Sequence, residues 1–326
     1  MENRKILIET QELTKEFNAV SSSWSKKKTV VHAVTDVSLK VYEGETLGIV
    51  GESGCGKSTL GRLILRLLEA TRGRVIYEGQ DLRELSTEQM RNMRKKMQMV
   101  FQDPYASLNP RLKIRDIVAE PLVTHKINKT KEEDTAVVED LLRKTGIRPE
   151  FMYRYPHQFS GGQRQRVSIA RALALKPRLI ICDEPVSALD VSIQSQILNL
   201  LGDLQAEMNL TYLFISHDLS VVRYLSDRVC VMFLGKVCEL GITREIYAEP
   251  LHPYTKFLLE AVPVPDPEVR KEAKNMLTGE IPSPVNPPSG CHFRTRCPYA
   301  AKRCAEESPE LKEVQPGRWV ACHLME

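Results

Sequence analysis

The chain has 326 residues, 46 of them Lys or Arg and 42 Asp or Glu, and the resulting net charge of +4 excludes a polybasic protein that coats nucleic acid or lipid, which needs cations in excess on one face. At 42% hydrophobic residues it can bury a sizeable core, so two domains are expected, or one large domain with an appendage. No apolar run approaches the ~18 residues of a membrane span and the opening MENRKILIETQELTKEF lacks a signal-peptide core, so a cytosolic setting is expected.

Ser21–Ser23 beside Lys26–Lys28 reads as a solvated loop. Thr46–Val50 (TLGIV) is a short apolar run suited to a strand buried on both faces, as are Leu179–Cys182 (LIIC) and Tyr212–Ile215 (YLFI). After the first comes GESGCGKS, Gly51 to Ser58, matching G-x-x-x-x-G-K-S/T. Leu60, Leu63, Ile64, Leu67 and Leu68 then recur on one helical face. Strand, glycine loop and helix in that order predict a phosphate cradle: the glycines let successive backbone N–H groups face an anion, Lys57 adds a point charge, and the Ser58 hydroxyl ligates Mg²⁺. Cys55 inside the loop is a candidate redox thiol, although a plain small residue is the simpler reading.

Further on, a helix over about 132–144 buries Val137, Val138, Leu141 and Leu142 and stops at Gly146. In the string FSGGQ, Ser160 is a predicted helix N-cap and Gly161 and Gly162 expose backbone N–H groups, a second helix start suited to an anion. One nucleotide has one terminal phosphate, so this second site is expected to serve a nucleotide held by another copy or partner. Asp183 and Glu184 end the second apolar strand, where Asp183 can join the Mg²⁺ shell and Glu184 can orient or deprotonate a water. A helix follows, with Ile193, Ile197, Leu200, Leu201 and Leu204 on one face. No internal repeat is visible, and strands alternate with helices as in βαβ units around a largely parallel sheet. Seven of the nineteen prolines fall between 263 and 288, which reads as an extended tether between a main domain of about 1–245 and a Cys-bearing tail.

Over residues 1–245 the sequence resembles the ATP-binding-cassette (ABC) ATPases. It carries in order the glycine loop, Gln102 in VFQDP, FSGGQ, the Asp183-Glu184 strand, Asp190 in SALD and His217 in FISHD. That resemblance implies an α/β P-loop NTPase fold with a RecA-like core, an antiparallel β subdomain and an α-helical subdomain at about 105–165. It implies ATP on Gly51, Ser53, Gly54, Cys55, Gly56, Lys57, Ser58 and Thr59, with Ser58, Gln102 and Asp183 toward Mg²⁺. Glu184 becomes the catalytic base, His217 a γ-phosphate contact and Asp190 a link across a dimer, in which Ser160, Gly161, Gly162 and Gln163 bind the partner's ATP. Phe159 stands where the family has Leu, a position that packs rather than ligates. Phe17 is the candidate adenine-stacking aromatic, with Trp24 as the alternative.

Longer strings, among them VFQDPYASLNPR, RYPHQFSGGQRQR, DEPVSALDVSIQSQILNLL and LHPYTKFLLEAVP, resemble ATPase subunits of dipeptide and oligopeptide importers, of the "F" type. The resemblance implies a peripheral subunit on the cytoplasmic face of the inner membrane. It would pair with a sister "D"-type ATPase beneath two permease subunits fed by an extracytoplasmic peptide-binding protein, with no nucleic acid as partner. Nickel or oligosaccharide cargo, or a soluble non-transport ABC ATPase, are the alternatives.

The last segment, 289–326 beyond a connecting stretch 246–288, holds Cys291, Cys297, Cys304 and Cys322 at intervals of five, six and seventeen residues. Structural zinc favours closer pairs and the cytosol disfavours disulfides, which leaves a metal site or loose thiols. The resemblance raises a 4Fe-4S cluster above zinc, while His292 and His323 read as surface residues.

Overall fold

Two long antiparallel strands, β1 (Ile6–Val20) and β2 (Lys28–Tyr42), open the chain, and β3 (Thr46–Val50), α1 (Lys57–Ile64), β4 (Arg72–Tyr77) and β5 (Gln80–Asp81) follow. The computed structural model describes residues 4–20, 28–262, 280 and 282–325, so Trp24 and most of the proline-rich tether lie outside the described residues. Two units emerge: one from Met1–Tyr42, Leu47–Arg83 and Ser216–Glu326, the other from Glu43–Thr46 and Glu84–Ile215.

In the first unit β2, β1, β4 and β5 form an antiparallel sheet in that order. α1 begins directly after the glycine loop and ends one turn earlier than its apolar stripe predicts. Arg66 enters the left-handed region at φ 49°, the Leu67 N–H donates to Arg62 O at 2.8 Å and the Arg66 N–H to Leu63 O at 2.9 Å. This closing pair of bonds is a Schellman stop, which usually recruits glycine. Leu67 is consequently left exposed.

The second unit contains α2 (Thr87–Met93), β6 (Met97–Val100), α3 (Ile114–Thr124), α4 (Lys131–Lys144), α5 (Gly161–Leu173), β7 (Leu179–Asp183), α6 (Val191–Met208) and β8 (Thr211–Ile215). β7 pairs parallel with both β6 and β8, and all five residues of β7 and of β8 are buried, as befits strands covered on both faces. α3, α4 and α5 pack on one another. α4 starts in a capping box, where the Glu133 N–H donates to Thr130 Oγ1 and Glu133 Oε2 accepts from the Thr130 N–H, and Gly146 at φ 71° follows its end. Val138, Leu141 and Leu142 are buried as the pattern predicts; Val137 is only half-buried, and Asp134 fills the face instead, accepting from Asn128 Nδ2 at 2.9 Å.

The chain returns to the first unit through α7 (Leu219–Leu225), β9 (Arg228–Phe233), β10 (Lys236–Ile242), α8 (Thr243–Ala248), α9 (Pro253–Glu260), α10 (Arg303–Glu306), β11 (Lys312–Gln315) and β12 (Arg318–Val320). β9 runs parallel to β3 and antiparallel to β10, and the tail strand β12 pairs with β10, Glu239 facing Val320 and Leu240 facing Trp319. The architecture is mixed α/β.

Candidate nucleotide site

Gly51 sits at φ 151°, and a side chain there would place its Cβ 2.1 Å from Met232 O; at Gly56, φ 104°, the Cβ would meet Ala33 O at the same 2.1 Å. Only glycine fits both turns of the loop. Gly56 is the N-cap of α1 and brings no capping side chain, so the first-turn N–H groups are offered to a ligand rather than to a cap. Lys57 is buried, and its Nζ donates to Gly51 O at 2.8 Å and Glu52 O at 3.0 Å, which parks the ammonium inside the curl of the loop. Ser53 and Gly54 are exposed at the loop tip; Ser58 and Thr59 lie half-buried on the first turn of the helix.

Cys55 is 5% exposed, and burial pushes its thiol up despite the lowering effect of Lys57. A protonated, inaccessible thiol is unreactive, so the redox option for Cys55 is set aside. His217 is exposed, one residue beyond Ser216, whose N–H donates to Ile49 O of β3 at 3.1 Å. Phe17 is an exposed aromatic on β1 with Lys15 Nζ 5.0 Å above its ring.

In the second unit β7 delivers the carboxylates. Asp183 is buried at the strand end, and Glu184 turns out of it at φ 47°, a conformation that costs a non-glycine residue energy and recurs at functional sites. Gln102 Nε2 donates to Glu184 Oε2 at 3.0 Å, joining two candidates 82 residues apart. The FSGGQ string starts α5 as expected: the Gln163 N–H donates to Ser160 Oγ at 3.3 Å and the Ser160 N–H to Gln163 Oε1 at 3.1 Å. Gln163 thus spends its side-chain oxygen on the capping box. A Cβ at Gly162 would come 2.5 Å from Ile193 Cγ2, so this glycine is required by packing on α6, a demand the string itself does not reveal; Gly161 is half-buried beside Leu189. Phe159 is buried edge-on against Phe151 with ring centroids 6.1 Å apart, a packing role as expected. Asp190 caps α6 by accepting from the Ile193 N–H at 3.0 Å, and the Ser192 hydroxyl on the same oxygen holds its carboxyl below the ordinary range.

In the tail all four cysteines are free thiols and half-buried. Burial and then the neighbouring thiols raise Cys291 to about 11, and Cys297 and Cys322 are raised likewise, so the four lie within electrostatic reach of one another. Among the described residues no group of three or more His, Cys, Asp or Glu side chains that could hold a metal ion is gathered, for a cluster or for zinc. His292 Nδ1 is bonded to Leu234 O at 2.8 Å, half-buried instead of at the surface. Sequence reasoning missed two residues that touch the loop: Tyr254, whose hydroxyl accepts from the Glu52 N–H, and Arg296, paired with the Glu52 carboxylate. No local pattern marks either, since they lie 202 and 244 residues away.

Two family models match: "ABC transporter" over residues 34–187, and "Oligopeptide/dipeptide transporter, C-terminal region" over 238–304. The chain is 55% identical to the oligopeptide transport ATP-binding protein AppF of Bacillus subtilis, over 99% of this chain and 98% of the relative. It is 53% identical to the oligopeptide transport ATP-binding protein OppF of Salmonella typhimurium, over 96% and 94%. Among solved structures, the dimeric ATP-binding cassette MJ0796 in a post-hydrolysis state with ADP and Pi superposes with a TM-score of 0.65 at 30% identity, covering 73% of this chain and 99% of that one. CbiO1 of Clostridium perfringens, part of the ABC transporter complex cbiONQ, gives 0.64 at 28% identity, covering 75% and 92%.

Proposed function

Because the chain belongs to the ABC transporter family, in its branch of oligopeptide transport ATP-binding proteins, we infer that it binds and hydrolyses ATP to drive peptide import. The observation that carries this reading is the glycine loop, two glycines that admit no side chain leading into a helix start left uncapped. Backbone N–H groups from Gly54 to Thr59 bind the phosphates, and Lys57 exchanges its two loop carbonyls for phosphate oxygens. Phe17 is proposed to stack on the adenine. Ser58, Gln102 and Asp183 are proposed to hold Mg²⁺, which when bound neutralises charge on the phosphates. Glu184 receives a proton from the attacking water at its carboxylate, oriented by the Gln102 amide; His217 donates toward the terminal phosphate.

Ser160, Gly161, Gly162 and Gln163, with Asp190, are proposed to close on the ATP of a second cassette, a head-to-tail pairing with a sister "D"-type subunit. The dimeric cassette among the similar structures supports it. Two permease subunits would receive the pair at the cytoplasmic face of the inner membrane. Among the described residues no helix is long and apolar enough to cross that membrane itself.

In the assembled transporter, Glu184→Gln should cut hydrolysis by at least about a hundredfold, the lower range for a lost general base, while ATP stays bound and dimers accumulate. Hydrolysis at the parent rate removes Glu184 from the mechanism, and stimulation by nickel or an oligosaccharide in place of peptide overturns the cargo.

Residues 289–326 are proposed to bind a 4Fe-4S cluster through Cys291, Cys297, Cys304 and Cys322. Four free thiols in mutual electrostatic reach support it. When bound it supplies the positive charge that lets the gathered thiols ionise. Anaerobically purified protein should be brown, absorb near ~400 nm and contain iron and sulfide; a colourless sample with zinc and no iron sinks the proposal.

A further inference from the structure

A loop built to hold phosphates contains one acidic residue, Glu52, between Gly51 and Ser53. A carboxylate there opposes an incoming anion unless its charge is cancelled. The tail cancels it: Arg296 Nη1 donates to Glu52 Oε2 at 2.7 Å and Nη2 to Oε1 at 3.0 Å, a two-pronged fork. The Arg296 side chain is 5% exposed and lies 5.8 Å from the Phe233 ring centroid. Its neighbour Phe293 is wedged among Phe233, Tyr254 and Phe257, so the guanidinium is presented from a packed base rather than from a loose arm.

The other handles of Glu52 are also tied. Its N–H donates to the Tyr254 hydroxyl at 2.9 Å, and its carbonyl accepts from Lys57 Nζ at 3.0 Å and from the Cys55 N–H at 3.2 Å. A second strut reaches the same loop: His292 bonds Leu234 O at 2.8 Å, and the adjoining Gly235 N–H donates to Cys55 O at 3.0 Å.

We propose that Arg296 is a positioning residue for ATP binding, which neutralises and clamps the one carboxylate of the glycine loop and so makes the Cys-bearing tail part of the nucleotide site's support. The proposal rests on reading Gly51–Ser58 as the phosphate loop. It gives the tail a purpose in the ATPase: whatever orders residues 291–297 also orders Glu52.

The test compares Arg296→Ala, Glu52→Gln and the double variant, by ATP titration of the full chain and by kcat and KM in the assembled transporter. Arg296→Ala should weaken ATP affinity and raise KM by about three- to thirtyfold, within the span of coupling between contacting residues, with kcat little changed. The loss should shrink as salt screens the unpaired carboxylate, and the double variant should return close to Glu52→Gln alone. If Arg296→Ala does not fold, Arg296→Gln carries the same expectations. A double variant as weak as the single one, a salt-independent loss, or an unchanged KM overturns the proposal. Lys57→Ala is the reference: if it binds ATP as tightly as the parent, the phosphate-loop reading itself fails, whatever Arg296 does.

Discussion

His252 sits 2% exposed at the start of α9, where its Nδ1 accepts the Tyr254 N–H at 3.0 Å and its ring donates to the Ala321 carbonyl. The Nδ1 bond needs that nitrogen unprotonated, and complete burial, which outweighs the opposing Ala321 bond, pushes the pKa down to about 3. Above the ordinary value of ~6.5 the folded and unfolded chains are both neutral at this residue, and its contribution to stability is fully present. As pH falls below 6.5 the unfolded chain takes up a proton that the folded chain refuses until about 3, so stability is lost through that window. At pH 5.5 the loss is about 1.4 kcal/mol, one pH unit's worth. Urea midpoints at pH 7.5 and 5.5 should show the parent losing about that much more than His252→Asn, which keeps an acceptor for Tyr254 and does not titrate. Equal losses in the two proteins would remove His252 as the cause. Burial acts in the same direction on chemistry elsewhere: Cys230 is raised to about 12 and Cys182 and Cys238 are also raised, so the dispersed thiols stay protonated.

At the scale of elements, sequence pattern was a good guide where one local force decides. β3, β7 and β8 match their apolar runs to within a residue, because a strand covered on both faces can tolerate no polar interruption. Ser160 announces the start of α5 as an N-cap, since a cap is a local contact, and the structure adds Gln163 as the other half of a capping box. The end of α1 was not legible. Its leucine stripe continues to Leu68, but the chain stops the helix with Arg66 in a left-handed conformation, stabilised by Arg66 Nη1 on Leu82 O at 2.8 Å, a partner 16 residues on. Gly162 was legible as a glycine and not as a packing glycine, because Ile193 reaches it only once α5 and α6 are in place. The pairing of Gln102 with Glu184, of Glu52 with Arg296 and of the four tail thiols all depend on topology. Gln102 stood out in sequence through its resemblance to a known order of motifs, Glu184 as a carboxylate at a strand end and the four cysteines by their crowding in the tail, whereas nothing marked Glu52 or Arg296 as a pair.

For the molecule as a whole, the tail is built into the first unit rather than hung from it. β12 extends the sheet on β10, and Arg318, 2% exposed, donates to the fully buried Glu239 carboxylate at 2.9 Å. That carboxylate also accepts the N–H groups of Leu251 and His252, at 3.1 and 2.9 Å, so it organises the approach to α9 and with it Tyr254, which contacts the glycine loop. A chain cut after 288 leaves Glu239 buried without its guanidinium, and loss of one partner from a buried pair costs about 3–5 kcal/mol. At ~1.5 °C per kcal/mol for a chain of this size, the truncated protein should melt at least about 4 °C lower, and Phe233 and Tyr254 lose their cover by Phe293 in addition. Adding Glu239→Gln to the truncated chain should recover part of that loss, because a neutral amide tolerates burial without a cation better than a carboxylate does. The same change in the full chain should destabilise, since it strips Arg318 of its counter-charge. Opposite signs in the two backgrounds, read from thermal melts at one pH, are the signature of a tail that completes the fold; equal signs, or a truncated chain that melts within 2 °C of the parent, show that the pair is dispensable.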